Sequence, residues 1–206
     1  MSVGLLGAGG QADETEMYLA ESGRSVAFRA VDAQYVASAG SGAVALEAAN
    51  SQVPVVAAIG APGTRKKMLE KWSGTTYATV ISRHAVVGPT SSVAPGSIVA
   101  PGAIVTTKVT IGRHVLVNTG VTIGHDTTIG EYTTLSPGVH VGGNVKMGDG
   151  VFVGLGAVIK QGVSIANGAV IGAGAVVLHD IDEPNSVHVG VPAKQIAVNE
   201  DWLHKL

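Results

Sequence analysis

The chain has 206 residues, of which 46% are hydrophobic and 14% charged, and its formal net charge is −2. This composition favours one or two compact domains over disorder, and it carries no basic stripe, so neither nucleic acid nor an anionic membrane surface is an expected partner. There is no cysteine, which excludes disulfides and any cysteine-based chemistry.

The N-terminal sequence has no basic leader before its apolar stretch, so no signal peptide is predicted. Apolar runs elsewhere stop well short of the about 20 residues that span a bilayer, so no membrane insertion is expected. We therefore expect a cytoplasmic protein.

Residues 1–80 have the pattern of a small α/β domain. Buried strands are predicted at 3–6, 25–31 and 53–59, the first of them followed by a helix over about 11–22, and the stretch 35–50 is ambiguous. After the third strand, Gly60 begins a turn into a helix that carries Arg65. This alternation predicts a small Rossmann-like parallel sheet.

The turn after the first strand fits the dinucleotide-binding fingerprint loosely. Gly7, Gly9 and Gly10 precede the helix, Ala12 takes the last glycine position, and Asp32 lies near the distance expected for a ribose contact. Such glycines let a pyrophosphate approach backbone N–H groups at a helix N-terminus. About 80 residues supply only half of a full dinucleotide domain, so a nucleotide-sugar is favoured over NAD. Alternatively, the glycines only form a tight turn.

From residue 81 onward an aliphatic residue recurs every six positions, and the residue four places later is mostly small or β-branched. This period indicates a parallel β-helix in which three hexads close one triangular coil, and seventeen hexads make between five and six coils. The repeating aliphatics are Ile81, Val87, Val93, Val99, Val105, Ile111, Val117, Ile123, Ile129, Leu135, Val141, Met147, Val153, Ile159, Ile165, Ile171 and Val177.

The predicted domains are therefore an all-β prism over 81–182 behind the α/β domain 1–80, and a tail over 183–206. Residues 199–206 are predicted to form a short amphipathic helix that covers the open end of the prism, where edge strands are exposed.

Five of the seven histidines fall within the hexads, and none takes an inward position, so all five are expected to be at least partly exposed. His125 is distinguished because Asp126 follows it and Asn118 lies nearby in the same coil. An imidazole beside a carboxylate suits a general base that acts on an amine or hydroxyl.

These features together resemble the left-handed β-helix acetyltransferases of bacterial surface-sugar synthesis. The resemblance rests on the glycine turn, Asn118-Thr-Gly, Gly124-His-Asp, Gly142-Gly-Asn-Val and Gly190-Val-Pro-Ala-Lys, which occur in the family's order over nearly the whole chain. The most similar group contains the sialic acid O-acetyltransferases and the N-acetyltransferases of nucleotide-linked 4-amino sugars.

The resemblance implies a homotrimer with acetyl-CoA in the cleft between neighbouring prisms and a nucleotide-linked amino sugar on the N-terminal domain. It implies His125 as general base, Asp126 as its partner and the Gly143 N–H as oxyanion donor. For the coenzyme it implies Asn118, Gly142, Gly143, Leu155, Ala173 and Lys194. For the nucleotide-sugar it implies Gly7, Gly9, Gly10, Asp32, Gly60 and Arg65.

The chain departs from the family pattern at three positions. Gln11 stands where many members have histidine, Ala61 where they have Asp or Asn, and Thr133-Thr134 where a second histidine is common. These departures concern the acceptor and leave its nucleotide and sugar open.

Three alternatives compete with an N-acetyltransferase. One is an O-acetyltransferase that acts on a sugar hydroxyl, and another is a non-catalytic scaffold or sugar-nucleotide sensor. The third is a zinc-dependent carbonic anhydrase of the same fold, which needs two histidines five residues apart and a third about two coils earlier. No histidines here have that spacing, and Pro89 lies 36 residues before His125, so no metal is expected.

Overall fold

The computed structural model describes residues 2–40 and 42–202. Its N-terminal part is a four-stranded parallel sheet with two helices. The strand order is β3-β2-β1-β4. This confirms the predicted Rossmann-like sheet, and the ambiguous stretch contains its edge strand. The elements are β1 Ser2–Leu6, α1 Gly10–Glu21, β2 Ser25–Val31, β3 Ala43–Ala45, β4 Val55–Ala57 and α2 Pro62–Lys71, with short 3-10 turns at Ala33–Tyr35 and Leu46–Ala48.

The turn between β1 and α1 needs glycine at one position in particular. Gly7 has a φ of +118°, and a Cβ there would lie 2.8 Å from the Ala58 carbonyl oxygen. Helix α1 then buries residues at helical spacing, Ala12, Thr15, Tyr18 and Leu19, against the sheet. The N-terminus of α1 therefore lies at the edge of the sheet where the parallel strands end.

The remaining strands form three parallel sheets that make the faces of a triangular prism. Each strand pairs with the strand 18 residues later, as Ile111 does with Ile129, so three hexads form one coil. The hexad prediction is confirmed, because every predicted aliphatic is the last residue of a strand. The strands are β5 Val80–Ile81, β6 Val86–Val87, β7 Ser92–Val93, β8 Ile98–Val99, β9 Ile104–Val105, β10 Thr110–Ile111, β11 Leu116–Val117, β12 Thr122–Ile123, β13 Thr128–Ile129, β14 Thr134–Leu135, β15 His140–Val141, β16 Lys146–Met147, β17 Phe152–Val153, β18 Val158–Ile159, β19 Ser164–Ile165, β20 Val170–Ile171 and β21 Val176–Val177.

We name the three faces by the strands they contain. The first face holds β5, β8, β11, β14, β17 and β20; the second holds β6, β9, β12, β15, β18 and β21; the third holds β7, β10, β13, β16 and β19. The chain visits them in that order, so each corner of the prism follows one particular face.

Hydroxyl groups in the prism interior bridge successive coils. Thr127 Oγ1 donates to the Gly142 carbonyl and accepts from the Val145 N–H, 18 residues further on.

At the corners, fourteen consecutive hexads from Gly96 to Gly174 place a residue of positive φ at their fourth position. This backbone geometry repeats whether the residue is glycine or not, and Asp126, with a φ of 56°, occupies one such corner.

The first coil differs from those above it. Ile81 was predicted to point into the core, but it remains 40% exposed. The reason is that β5 is the edge strand of the first face, with no coil beneath it. Its neighbour Val80 is instead buried, in one cluster with Leu116 of the same face and with Val3 and Leu5 of β1. The N-terminal domain therefore covers the lower half of the first face.

The tail adds a hairpin to the same face. Strands β22 Ser186–Val189 and β23 Lys194–Val198 pair antiparallel, and β22 extends the sheet beyond β20. Residues 199–202 are not helical, so the described part of the predicted 199–206 helix is wrong, and residues 203–206 lie outside the described residues. Trp202 packs against Gly150 and Gly168 at a corner of the prism, with its ring 5.9 Å from that of Tyr132.

Candidate active site

The His125–Asp126 pair lies at the corner that follows the second face. His125 Nδ1 is 2.8 Å from Asp126 Oδ2, while the other carboxylate oxygen is 3.8 Å from Lys108 Nζ. With the carboxylate ionised, Nδ1 carries the proton and Nε2 is the free nitrogen. The imidazole side chain is 61% exposed and thus open to a ligand.

Gly143 lies one coil above His125, at the same hexad position. A Cβ at residue 143 would come within 2.8 Å of His125 Nε2 and 2.9 Å of Cε1, so the ring occupies the space that any side chain there would need. The Gly143 N–H donates to no acceptor among the described residues. The free imidazole nitrogen and an available backbone donor thus lie side by side.

A cavity of about 410 Å³ lies between the N-terminal domain and the corner that follows the first face. It brings together four predicted residues, Gly60, Asn118, Leu155 and Ala173. Its other lining residues are Gln11, Glu14, Thr134, Ser136, Pro137, Phe152 and Gly154. Both parts of the chain therefore contribute walls to one pocket.

A second groove, of about 430 Å³, runs along the next corner and is lined by Gly142 together with His140 and Gln161. It shares Leu178 with a smaller cavity that is lined by Lys194. The residues predicted for the coenzyme thus form two rows on two corners of the prism. His125 belongs to the second row and is not among the described residues that line the first cavity.

The residues predicted for the nucleotide lie at one edge of the N-terminal sheet. Gly9 is the N-cap of α1 and Gly10 its first residue, and the space beside both glycines is open. Asp32 follows β2 at the same edge, where it accepts a hydrogen bond of 2.8 Å from Lys71 Nζ. This edge is where open α/β sheets bind their ligands.

Arg65 does not take the position that was predicted for it. It is 1% exposed, and its N–H groups donate to oxygen atoms of the protein itself. Burial lowers the pKa of its guanidinium to about 9, so it remains charged at neutral pH. Every N–H group of Arg65 is thus occupied within the protein. The structure therefore corrects the predicted direct contact between Arg65 and a nucleotide-sugar.

His114 is a second correction, since it was expected to be at least partly exposed. It is 3% exposed, with its ring stacked 5.2 Å from Tyr132 and edge-on 4.7 Å from Tyr77. Burial, with smaller contributions from Arg113 and Arg65, lowers its pKa to about 4. The hexad position was read correctly, but the N-terminal domain covers this corner.

Sequence reasoning missed several residues of the first cavity. Ser136 lies one coil above Asn118, so the 18-residue register contained the signal that predicts it. Glu14 and Phe152 had no such signal, because their place depends on how the two domains pack. The Gln11 side chain, noted only as a departure from the family pattern, buries its Nε2 without a hydrogen-bond partner.

In residues 2–40 and 42–202, no three His, Cys, Asp or Glu side chains cluster closely enough to hold a metal ion. No helix in that part of the chain has the length and apolarity needed to cross a bilayer.

Comparisons with known proteins agree with this fold. A family model described as bacterial transferase hexapeptide (six repeats) matches residues 108–143. No curated protein matches the chain. Among solved structures, PerB of Caulobacter crescentus in complex with CoA and GDP-perosamine is 29% identical, with a TM-score of 0.87 over 96% of this chain and 98% of that one.

Two further structures are similar over almost their full length. The acetyltransferase domain of PglB from Neisseria gonorrhoeae is 27% identical, with a TM-score of 0.84 over 95% of this chain and 99% of that one. WeeI of Acinetobacter baumannii is 26% identical, with a TM-score of 0.80 over 95% of this chain and 100% of that one.

The fold and these similarities agree. The chain is a parallel β-helix with a hexapeptide-repeat match over residues 108–143, and the predicted resemblance to the left-handed β-helix sugar acetyltransferases is confirmed. The expectation that it is an acetyl-transferring enzyme is confirmed with it.

Proposed function

We propose that this enzyme transfers the acetyl group of acetyl-CoA to the amino group of a nucleotide-linked amino sugar. The observation that carries the proposal is the His125 ring, held by Asp126 through Nδ1 and resting against Gly143. A free imidazole nitrogen beside an available N–H provides the two groups that acetyl transfer requires, a base and an oxyanion donor. CoA and GDP-perosamine are bound in the PerB structure, which supports both substrates.

The reaction needs no acyl-enzyme. The acceptor nitrogen attacks the thioester carbon while His125 Nε2 removes a proton from the amine, and Asp126 stabilises the resulting imidazolium. The Gly143 N–H donates to the oxygen on which negative charge develops. When the C–S bond breaks, the thiolate of CoA takes the proton from Nε2, so histidine returns to its neutral form. No step uses a metal.

The nucleotide part of the acceptor is assigned to the N-terminal domain. The open space beside Gly9 and Gly10 lets a diphosphate approach the first N–H groups of α1, and Gly7 permits the turn. Asp32 then contacts the ribose or base, and it must exchange its bond to Lys71 for that contact. The sugar would extend into the cavity lined by Gly60 and Asn118.

The two rows of coenzyme residues are united by a homotrimer. Leu155 and Ala173 on one corner cannot meet Gly142, Gly143 and Lys194 on another corner of the same prism. A neighbouring copy that presents its second corner to the first would bring both rows to one cleft. Acetyl-CoA would lie in that cleft, with His125 contributed by one protomer and Asn118 by the next.

The chemistry of the faces supports association through the second face. Its outward residues include Val86, Ile104 and Val158, which are 60%, 42% and 38% exposed. The outward residues of the third face are polar: Ser92, Thr110, Thr128, Lys146 and Ser164. Burial of the apolar row between copies removes it from water. Light scattering should give a trimer for the wild type and smaller species for Ile104→Glu.

The substrate assignment is tested with a panel of UDP-, GDP- and dTDP-linked amino sugars, each paired with its hydroxyl counterpart. Free CoA is followed with a thiol reagent, and fragmentation mass spectrometry locates the acetyl group on the product. Release of CoA with amino sugars, and an acetyl group on nitrogen, is the expected result. Release with hydroxyl acceptors alone would replace the proposal with O-acetyl transfer. We infer that the reaction takes place in the cytoplasm.

A further inference from the structure

The guanidinium of Arg65 makes an unusually complete set of bonds across the domain junction. It has no carboxylate partner among the described residues, yet it is fully buried. A guanidinium has five N–H groups. Its hydrogen-bond acceptors are the carbonyl oxygens of Ile59, Gly60, His114, Tyr132 and Thr133, together with Thr134 Oγ1.

These acceptors belong to two different parts of the molecule. Ile59 and Gly60 follow β4 in the N-terminal domain, whereas His114 and the 132–134 segment lie on two successive coils of the prism. A buried charge without these bonds would be costly, so the junction has one favourable arrangement. Arg65 thus fixes the loop after β4 relative to the prism.

The same network reaches the wall of the first cavity. Thr134 Oγ1 accepts from Arg65 Nη2 at 2.9 Å and donates to the Gly60 carbonyl at 2.7 Å. The Gly60 carbonyl also accepts from Arg65 Nη1 at 3.1 Å. Gly60 and Thr134 both line the cavity, one from each domain. Arg65 does not itself line the cavity, but it links the two walls through these hydrogen bonds.

We propose that Arg65 is a positioning residue for the acceptor, acting through Gly60 and Thr134 without touching the substrate itself. The inference rests on the proposed function, since it assumes that the sugar lies in this cavity. A nucleotide bound at the glycine turn presents its sugar to the prism only if the domains keep their relative position. Displacement of the Gly60 wall would misplace the acceptor amine. The coenzyme residues Leu155 and Ala173 lie on higher coils of the same cavity and make no bond to Arg65, so they would keep their places. Gly142 and Lys194, on the next corner, would also be unchanged.

The test uses the full-length enzyme and two variants that affect the network differently. Thr134→Val keeps the shape of the side chain but removes both of its hydrogen bonds. Arg65→Lys keeps the charge but cannot reach acceptors on both domains at once. Arg113→Met is the matched control, because Arg113 is an exposed arginine that lies over Tyr77 at the same junction.

Steady-state constants for both substrates are measured beside the melting temperature. We expect Thr134→Val to lower kcat/KM for the amino sugar about tenfold, the effect of losing about 1.4 kcal/mol of hydrogen bonding, with KM for acetyl-CoA within about twofold. Arg65→Lys should lower it further with the same selectivity. Arg113→Met should change neither constant.

Each outcome separates the inference from a structural role. A KM for acetyl-CoA that rises as much as kcat/KM for the amino sugar falls would overturn the positioning role. A lower melting temperature with unchanged kinetic constants of the folded enzyme would overturn it as well. If Arg65→Lys does not fold, Thr134→Val alone decides the question. If the wild type acetylates no amino sugar of the panel, the proposed function fails and this inference with it, an outcome visible before any variant is compared.

Discussion

Two corners of the prism carry a histidine, one at the positive-φ position and one just before it, and the two rings have opposite surroundings. His125 lies at an open corner, paired with a carboxylate and resting against a glycine. His114 lies at a corner that the N-terminal domain covers, between two aromatic rings and with Nδ1 unpartnered. The hexad repeat places each histidine at a corner. Whether the N-terminal domain covers that corner determines whether the ring is buried or open to a ligand.

The largest effect is expected at the open corner. Replacing His125 by Ala should lower kcat about 10³-fold, since a general base contributes about 10² to 10⁴. Thermal unfolding and the oligomeric state should remain those of the wild type, because the ring is exposed. His84→Ala, which removes an exposed histidine near the base of the prism, is the control and should retain full activity. A fully active His125→Ala would show that another group removes the proton.

Gly143→Ala should come next, with a loss of about 10²-fold in kcat, the effect expected when a catalytic group is displaced by about 1 Å. The new methyl group would occupy the place of the imidazole, 2.8 Å from Nε2. Gly143 does not have a positive φ, so the backbone itself tolerates alanine.

A double-mutant cycle separates displacement of the ring from damage elsewhere. In the His125→Ala background, Gly143→Ala should cost almost nothing further, because the group it displaces is already gone. Additive losses would mean that the methyl group acts on the coenzyme or on the oxyanion donor.

The covered corner should affect stability and not catalysis. Burial lowers the pKa of His114 from 6.5 to about 4, so between these values the unfolded chain binds more protons than the folded one. Its contribution is therefore fully present above pH 6.5 and is lost as pH falls toward 4. At pH 4.5 we expect about 2 kcal/mol less stability than at pH 7 from this group.

Urea unfolding at pH 7 and 4.5 measures that difference. His114→Phe should reduce the pH dependence by the same amount, since phenylalanine has no titrating group. The φ of 56° at this position strains phenylalanine, so the absolute stability falls and only the difference between the two pH values is compared. All other histidines are retained in both proteins, so their contributions cancel. An unchanged pH dependence in the variant would show that His114 is not the group responsible.

The smallest effect is expected at Asp126, the carboxylate paired with His125. Asp126→Asn keeps the size of the side chain but removes the charge that stabilises the imidazolium, and we expect kcat to fall about tenfold. Steady-state kinetics at one pH measure this loss. A kcat equal to that of the wild type would reduce Asp126 to a residue that shapes the corner.

The prism could be predicted almost entirely from the sequence because a single period specifies it. Each aliphatic position recurs at six residues and pairs at 18, so neither depends on distant parts of the chain. Ile81 failed only because the repeat begins there and nothing lies beneath it. His125 and Asp126 could be singled out for the same reason, as neighbours in the chain at a recognisable corner.

What packs on the outside of the repeat could not be predicted. His114 is buried by Tyr77 and Tyr132, and Arg65 bonds to residues 49 to 69 positions away, and no local pattern specifies such contacts. The helix expected over 199–206 was wrong in its described part, residues 199–202, which directly follow a strand that pairs with β22. Sequence periodicity therefore predicts the interior of the prism better than the contacts that other parts of the chain make with its outer surface.

The 18-residue register makes one coil of the prism a removable unit. Duplicating a whole coil above Gly143 would lengthen the groove by about 4.8 Å and return every side chain to its former corner. Inserting six residues would instead rotate all later positions onto the next face and move Lys194 away from the corner that carries His125. The reach of the groove toward a long, thin coenzyme can therefore be adjusted in steps of one full coil. Any other change in chain length would require the His125 corner to be rebuilt.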